Sequence, residues 1–106
     1  MPIELTTLAI KRWVEAQPER GVVGTARNEY QCLVATFLAG NGAPCPYVDL
    51  GAPREHADLY MEDVHTDVVH PLSDEVGALA RRFDALADAR RHDPAVTREE
   101  ALALFD

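Results

Sequence analysis

The chain is poor in the features by which membrane anchors and common enzyme motifs are recognised. No apolar run approaches the roughly 18 residues that a helix needs to span a bilayer. The six glycines do not form a phosphate-binding loop, and lysine, serine and asparagine, which often build polar catalytic networks, are scarce. The sequence therefore predicts no cofactor and no membrane association, and it favours a protein that is not an enzyme.

The N-terminus lacks the basic and then apolar segment of a secretory signal peptide. We therefore expect a cytoplasmic protein, and the abundance of alanine and arginine is typical of a bacterial one. In a reducing cytoplasm, Cys32 and Cys45 are expected to be free thiols rather than a disulfide. Cys32 is expected in the second turn of a helix among apolar neighbours, where a thiol is usually inert, although a helix N-terminus nearby can activate one.

The net charge of −8 is concentrated in the middle of the chain. Residues 28–75 hold nine acidic side chains and a single basic one, Arg54, whereas the rest of the chain has as many bases as acids. The nine acids are Glu29, Asp49, Glu55, Asp58, Glu62, Asp63, Asp67, Asp74 and Glu75. A field of this sign repels nucleic acids and anionic membranes, and it attracts cations or basic proteins.

We expect one small globular domain spanning residues 1–106, because this length is ordinary for a single core. Residues 29–39 are predicted to form its central helix, since a helix that is apolar almost all round is usually buried. Asn28 is expected to cap the start of this helix, and the glycines of residues 40–42 are expected to end it. The predicted core residues on the helix are Leu33, Val34 and Phe37.

The other segments predict an α+β fold, with about four helices packed around a small two- or three-stranded antiparallel sheet. Periodicity predicts the other helices at about 6–16, 73–91 and 97–105. Their expected caps are Thr6 or Thr7, Ser73, and a capping box of Thr97 with Glu100. Alternation predicts a strand at 47–50, and one long strand or a hairpin at 57–69. A helix over 57–64 remains open. For Val22 and Val23, a packing role is favoured over a short strand.

The first 40 or so residues contain a segment Val-Val-Gly at 22–24, followed by Cys32, Ala35 and Leu38 in the spacing Cys-x-x-Ala-x-x-Leu. This order resembles a pattern in small uncharacterised bacterial proteins, in which such a helix follows a Val-Val-Gly segment. The resemblance implies no known activity and no functional residue.

Residues 63–70 contain the most suggestive candidate for chemistry. In a strand, side chains at 63, 65 and 67 would share one face, and His and carboxylates are the usual ligands of divalent metals. The candidate ligands are Asp63, His65 and Asp67, with His56 or Asp58 from a neighbouring loop. The same alternation is typical of the solvated face of an antiparallel sheet, which we favour because no diagnostic ligand spacing is present.

The charge distribution and the missing enzyme motifs favour a non-enzymatic acidic binding or regulatory module that acts on a protein partner of basic character. The residues expected to bind this partner are Asp49, Glu55, Asp58, Glu62, Asp63 and Asp67. Two alternatives remain. One is a metal-binding protein or metal-dependent enzyme that uses residues 63–70. The other is a nucleic-acid mimic that inhibits a DNA-binding protein, which requires acids spaced like phosphates on a rigid surface.

Overall fold

The computed structural model describes residues 3–51, 57–86 and 95–105. These ranges contain four α-helices and five short strands. In chain order they are α1 (Thr7–Glu15), β1 (Val22–Thr25), α2 (Leu33–Gly40), β2 (Tyr47–Asp49), β3 (Leu59–Met61), β4 (His70–Pro71), α3 (Asp74–Ala85), β5 (Ala95–Thr97) and α4 (Arg98–Leu102), with a final 3₁₀ turn at Ala103–Phe105. No helix in the described ranges is long and apolar enough to cross a membrane.

The strands form two separate antiparallel sheets, which confirms the α+β class. β1 pairs with β5, and β2, β3 and β4 form a meander in that order. The pairing of β1 with β5 joins the two ends of the chain and brings α4 against α1. Val22 and Val23 therefore belong to a strand, whereas we favoured a packing role for them, and β5 was not predicted.

α2 lies at the centre of the core, as expected. Leu33, Val34 and Leu38 are fully enclosed, and Phe37 is only 3% exposed. The Trp13 ring of α1 meets the Phe37 ring edge-on, with the ring centroids 6.0 Å apart. The core prediction for this helix is confirmed.

The predicted start of α2 is wrong by one turn. The helix begins at Leu33 rather than at Glu29, and Cys32 is the residue that caps it. The Ala35 N–H donates to the Cys32 sulfur at 3.5 Å. Asn28 instead closes a tight turn in front of the helix, where its side-chain oxygen accepts from the Tyr30 N–H at 3.0 Å.

Gly24 allows β1 to pass close to the start of α2. A Cβ at this position would lie 2.9 Å from the Leu33 nitrogen and 3.0 Å from the Phe83 ring. Contacts this short are not tolerated by a real side chain without displacement of the helix or the ring. The glycine of the Val-Val-Gly segment is therefore required by packing at this point of the fold.

The segment 57–69 is a hairpin with a broad turn, as one of the two strand interpretations predicted, and the helical interpretation of 57–64 is wrong. β3 ends at Met61, residues 63–67 turn, and the chain returns through β4. The predicted caps are confirmed at Thr6, Ser73 and Thr97. α3 ends at Ala85, and the rest of its predicted span reaches residues outside the described ranges.

Candidate functional site

The outer face of the three-stranded sheet carries apolar side chains that the rest of the described chain leaves partly exposed. The register pairs Tyr47 with Met61 and Asp49 with Leu59, so these four residues share one face. Val48 points to the opposite face and is buried against the core. The outer face of a half-covered antiparallel sheet is usually polar, so an outer face with three apolar side chains out of four is unusual.

These side chains line a cleft of about 390 Å³, here called the sheet cleft. Its walls are Tyr30, Tyr47, Asp49, Leu59, Met61, Val64 and Val69. Tyr30 is 55% exposed and Val69 is 49% exposed, although both are large and apolar. An apolar surface that is rimmed by polar groups is typical of protein interaction sites.

Two tyrosines form one wall of the sheet cleft. The rings of Tyr30 and Tyr47 meet edge-to-face, with centroids 5.2 Å apart and an angle of 62° between their planes. The Asn28 turn holds Tyr30 in place, and the Val48 N–H donates to the Glu29 carbonyl at 2.9 Å, which ties this turn to β2. The aromatic pair is thus positioned by backbone hydrogen bonds on both sides.

Carboxylates give the wall of tyrosines a negative environment. Burial raises the pKa of Tyr47, and the negative charges of Asp49 and Glu29, with a hydrogen bond to Glu29, raise it further. The Tyr30 hydroxyl also raises the pKa of Tyr47. Negative charge and phenol oxygens therefore lie close together at this end of the sheet cleft.

A second cleft lies on the other side of the turn between β3 and β4. Its volume is about 300 Å³. It is lined by Pro44, Glu62, Asp63, Thr66, Val68 and His70. The His70 ring stacks on Tyr60 at 5.1 Å, and burial together with the charge of Glu62 raises the pKa of Tyr60. The acids Glu62 and Asp63 thus line the second cleft and not the sheet cleft.

The proposed metal ligands do not share a strand face, because residues 63–67 form a turn. The Asp63 carboxylate accepts the His65 N–H at 2.9 Å, and Asp67 has a left-handed backbone with φ of 60°. Within the described ranges no three His, Cys, Asp or Glu side chains converge as metal ligands would. His56 lies outside those ranges.

The six acids predicted to bind a partner have different surroundings. Asp49 lines the sheet cleft, Glu62 and Asp63 line the second cleft, and Asp67 is exposed in the turn between them. Glu55 lies outside the described residues.

Asp58 has partners within the fold. Its carboxylate accepts from the Arg81 guanidinium of α3 and from the Gly51 N–H, and its side chain is 16% exposed. Arg81 also donates to the Gly51 carbonyl at 3.0 Å. The ion pair of Asp58 and Arg81 therefore links the three-stranded sheet to α3.

Cys32 lies at a helix N-terminus, closer to the activating position than the sequence suggested. A cavity of about 180 Å³ beside it is lined by charged groups, among them Arg27, Glu29 and Asp84. Burial nevertheless raises the pKa of Cys32 to about 11, and Asp84 contributes in the same direction. Since the thiolate is the nucleophile, a raised pKa favours a capping role for Cys32 over a catalytic one.

No protein-family model, none of the curated proteins and none of the solved structures compared with the chain match it. The resemblance carried by the Val-Val-Gly segment and the cysteine-containing helix therefore stays a prediction.

Sequence reasoning did not identify the apolar part of the sheet cleft. The predicted central helix includes Tyr30, and Leu59 and Met61 fall in a segment for which a strand and a helix both remain open. The available signal was the run Leu59, Tyr60, Met61, because three consecutive apolar residues in a strand place apolar groups on both faces of a sheet.

Proposed function

We propose that this protein is a non-enzymatic binding module that takes a basic, partly apolar segment of a partner protein into the sheet cleft. The observation that carries the proposal is the combination of an open apolar cleft with carboxylates at its border. Asp49 lines the cleft, and Glu29 lies beside the tyrosine pair.

The composition of the cleft favours a partner that is recognised through apolar contacts. It does not favour the alternative of a nucleic-acid mimic, which would inhibit a DNA-binding protein through its acids alone. Interface centres are enriched in aromatic residues and methionine and depleted of most charged residues, whereas the rim is polar. Tyr30, Tyr47 and Met61 supply such a centre. A mimic of phosphates requires rows of acids, and it gains nothing from an apolar cleft between them.

The edges of the sheet favour docking on its face rather than addition of a strand. β4 has only two residues, and Pro71 has no N–H to offer a new strand. On the other edge, the Val48 N–H of β2 already donates to Glu29. A partner segment therefore gains most by placing apolar side chains on the outer face and basic ones at its rim.

The charges on the rim set how the partner approaches. Rim charges act mainly on the association rate, and salt screens them over about 8 to 10 Å at ordinary ionic strength. The association rate is therefore expected to fall with added salt, while the dissociation rate depends mainly on the apolar contacts in the cleft.

Selection from a random library of twelve-residue peptides tests the proposal directly. The selected peptides should combine arginine or lysine with leucine, isoleucine, valine or phenylalanine, and amide resonances of β2, β3 and the Tyr30 turn should shift when they bind. A selection that yields no enriched sequence, or one that enriches acidic peptides, would contradict the proposal.

A matched pair of substitutions tests the location of binding. Val69→Thr places a hydroxyl in the cleft, whereas Val22→Thr makes the same change at a valine of β1 that is 61% exposed and outside the cleft. Val69→Thr should weaken peptide binding about fivefold, the equivalent of roughly 1 kcal/mol of apolar contact. Val22→Thr should leave binding unchanged, and equal losses in both variants would place the binding surface elsewhere.

A further inference from the structure

We propose that the end of the sheet cleft formed by Tyr30, Tyr47 and Asp49, with Glu29 next to Tyr47, is a subsite for one arginine side chain of the partner. The inference rests on the proposed function and specifies which basic residue the cleft selects. The juxtaposition that carries it is an exposed aromatic pair with a carboxylate at its hydroxyl end.

The aromatic pair provides a surface for a cation. The two rings are 5.2 Å apart and inclined at 62°, so they form a corner rather than a closed stack. The Tyr30 ring remains 55% exposed, and the Tyr47 ring is partly exposed beside it. A cation over the face of a tyrosine is attracted by the negative charge of its π system.

The oxygens at the end of this corner provide hydrogen-bond acceptors. The carboxylate of Glu29 and the phenol oxygen of Tyr30 both lie near the Tyr47 hydroxyl, and Asp49 adds negative charge at the same point. A side chain that stacks on Tyr30 therefore reaches acceptors at its tip. Stacking and hydrogen bonding are satisfied together only by a group that is flat and rich in N–H donors.

Arginine fits this geometry better than lysine. Its guanidinium is planar and presents five donors in a fixed arrangement, and it stacks on aromatic faces. The lysine ammonium is a compact and strongly hydrated charge, which loses more hydration on entering such a corner. Citrulline has nearly the shape of arginine but carries no charge, so it separates the role of shape from that of charge.

The test is an NMR titration of the full chain with N-acetyl-arginine methylamide, and with the lysine and citrulline analogues. The arginine probe should shift resonances of the Tyr30 turn and of β2. It should bind about 3- to 5-fold more tightly than the lysine probe, in the range of an exposed cation–π contact. The citrulline probe should bind more weakly than both.

Substitutions at the subsite sharpen the test. Tyr30→Leu removes the ring and should lower the affinity for the arginine probe about 3- to 5-fold, whereas Tyr30→Phe retains the ring face and should restore most of it. Glu29→Gln should weaken binding, while Glu19→Gln makes the same charge change at an exposed residue between α1 and β1 and should not. Retained amide dispersion shows that each variant is folded.

The outcomes separate this inference from the proposed function. If library peptides bind the sheet cleft but the three probes bind equally, or if Tyr30→Leu has no effect on the arginine probe, the subsite is wrong and the binding module stands. If the arginine probe shifts amide resonances elsewhere in the chain and not those of the Tyr30 turn, the subsite is also wrong. If no library peptide is enriched, the proposed function fails whatever the arginine probe does.

Discussion

α2 and the sheet cleft are both rich in large apolar side chains, but they differ in what surrounds them. Leu33, Val34 and Leu38 of α2 are fully enclosed by α1, α3 and both sheets. Tyr30 and Val69 of the cleft are about half exposed. The first region has its apolar surface removed from water by folding, whereas the second keeps apolar surface that a partner could remove.

The two regions should affect different properties: α2 the stability of the fold, and the sheet cleft the proposed binding of a partner. Each square ångström of apolar surface buried stabilises the fold by about 25 cal/mol, so α2 contributes strongly to the free energy of unfolding. The outer face of the sheet contributes less, because its side chains are still hydrated in the folded state. Substitutions in the two regions should therefore change different measured quantities.

The largest expected effect is on stability, at the centre of α2. Phe37→Ala should lower the free energy of unfolding by about 3–5 kcal/mol, because the cavity beneath Trp13 cannot collapse fully. Leu8→Ala is the matched control, since Leu8 of α1 is largely exposed, and its effect should stay within about 0.5 kcal/mol. An unchanged urea midpoint in Phe37→Ala would remove α2 from its place in the core.

The next largest effect is expected on the rate at which the two cysteine thiols are alkylated, because one is buried and the other is partly exposed. The pKa of Cys32, raised to about 11, lies two units above that of an ordinary thiol at 9.0, so at pH 8 its thiolate fraction should be about 100-fold lower. Cys45 is partly exposed. Alkylation by iodoacetamide, followed by mass spectrometry in Cys45→Ser and Cys32→Ser variants, should show rapid modification of Cys45 alone. Rapid modification of Cys32 would show that the start of α2 opens.

A smaller effect on stability is expected where the sheet meets α3. Asp58→Ala removes the acceptor of both Arg81 and Gly51, and should lower the free energy of unfolding by about 1–2 kcal/mol. Glu19→Ala, at an exposed acid, serves as the control. If Asp58→Ala left stability unchanged and abolished binding of library peptides, Asp58 would belong to the partner-binding surface that the sequence predicted.

The smallest effect is expected at Asp84, beside the capped end of α2. Burial raises the pKa of this carboxyl, although the Arg27 N–H opposes the shift. A raised pKa means that the folded state binds the proton more tightly than the unfolded state. The stability it contributes is therefore present below the unfolded pKa of about 3.9 and is lost as pH rises through the folded value.

Asp84→Asn keeps an oxygen that can accept from Arg27 and removes the charge. At pH 7 this variant should be equal to or more stable than the parent, by no more than about 0.5 kcal/mol. The difference should shrink as pH falls toward 4.5, and urea unfolding across this range measures it. A variant less stable than the parent at pH 7 would show that the charge of Asp84 stabilises the fold.

The sequence was a good guide wherever a structure depends on neighbours along the chain. The capping box of Thr97 and Glu100 and the Ser73 cap were predicted because their donors and acceptors lie three residues apart. The burial of Phe37 followed from an apolar segment too long to face water. The class of the fold followed from the sum of these local signals.

Residues that meet from distant parts of the chain were not predicted. The pairing of β1 with β5 and the bond of Asp58 to Arg81 join segments whose separation leaves no periodic signal. Asn28 was an acceptable helix cap by its chemistry, yet α2 starts at Leu33, because the preceding turn is tied to β2 through Glu29. A tertiary hydrogen bond decided between two local conformations of similar energy.

The candidate site likewise combines features that the sequence determines with features that only the fold determines. The sequence by itself determined the excess of acids between residues 28 and 75 and the apolar character of Leu59 and Met61. Only the tertiary structure placed Tyr30 against Tyr47, with Glu29 beside them. Composition is fixed by covalent order, whereas a binding surface depends on which side chains the packing of the core leaves facing water.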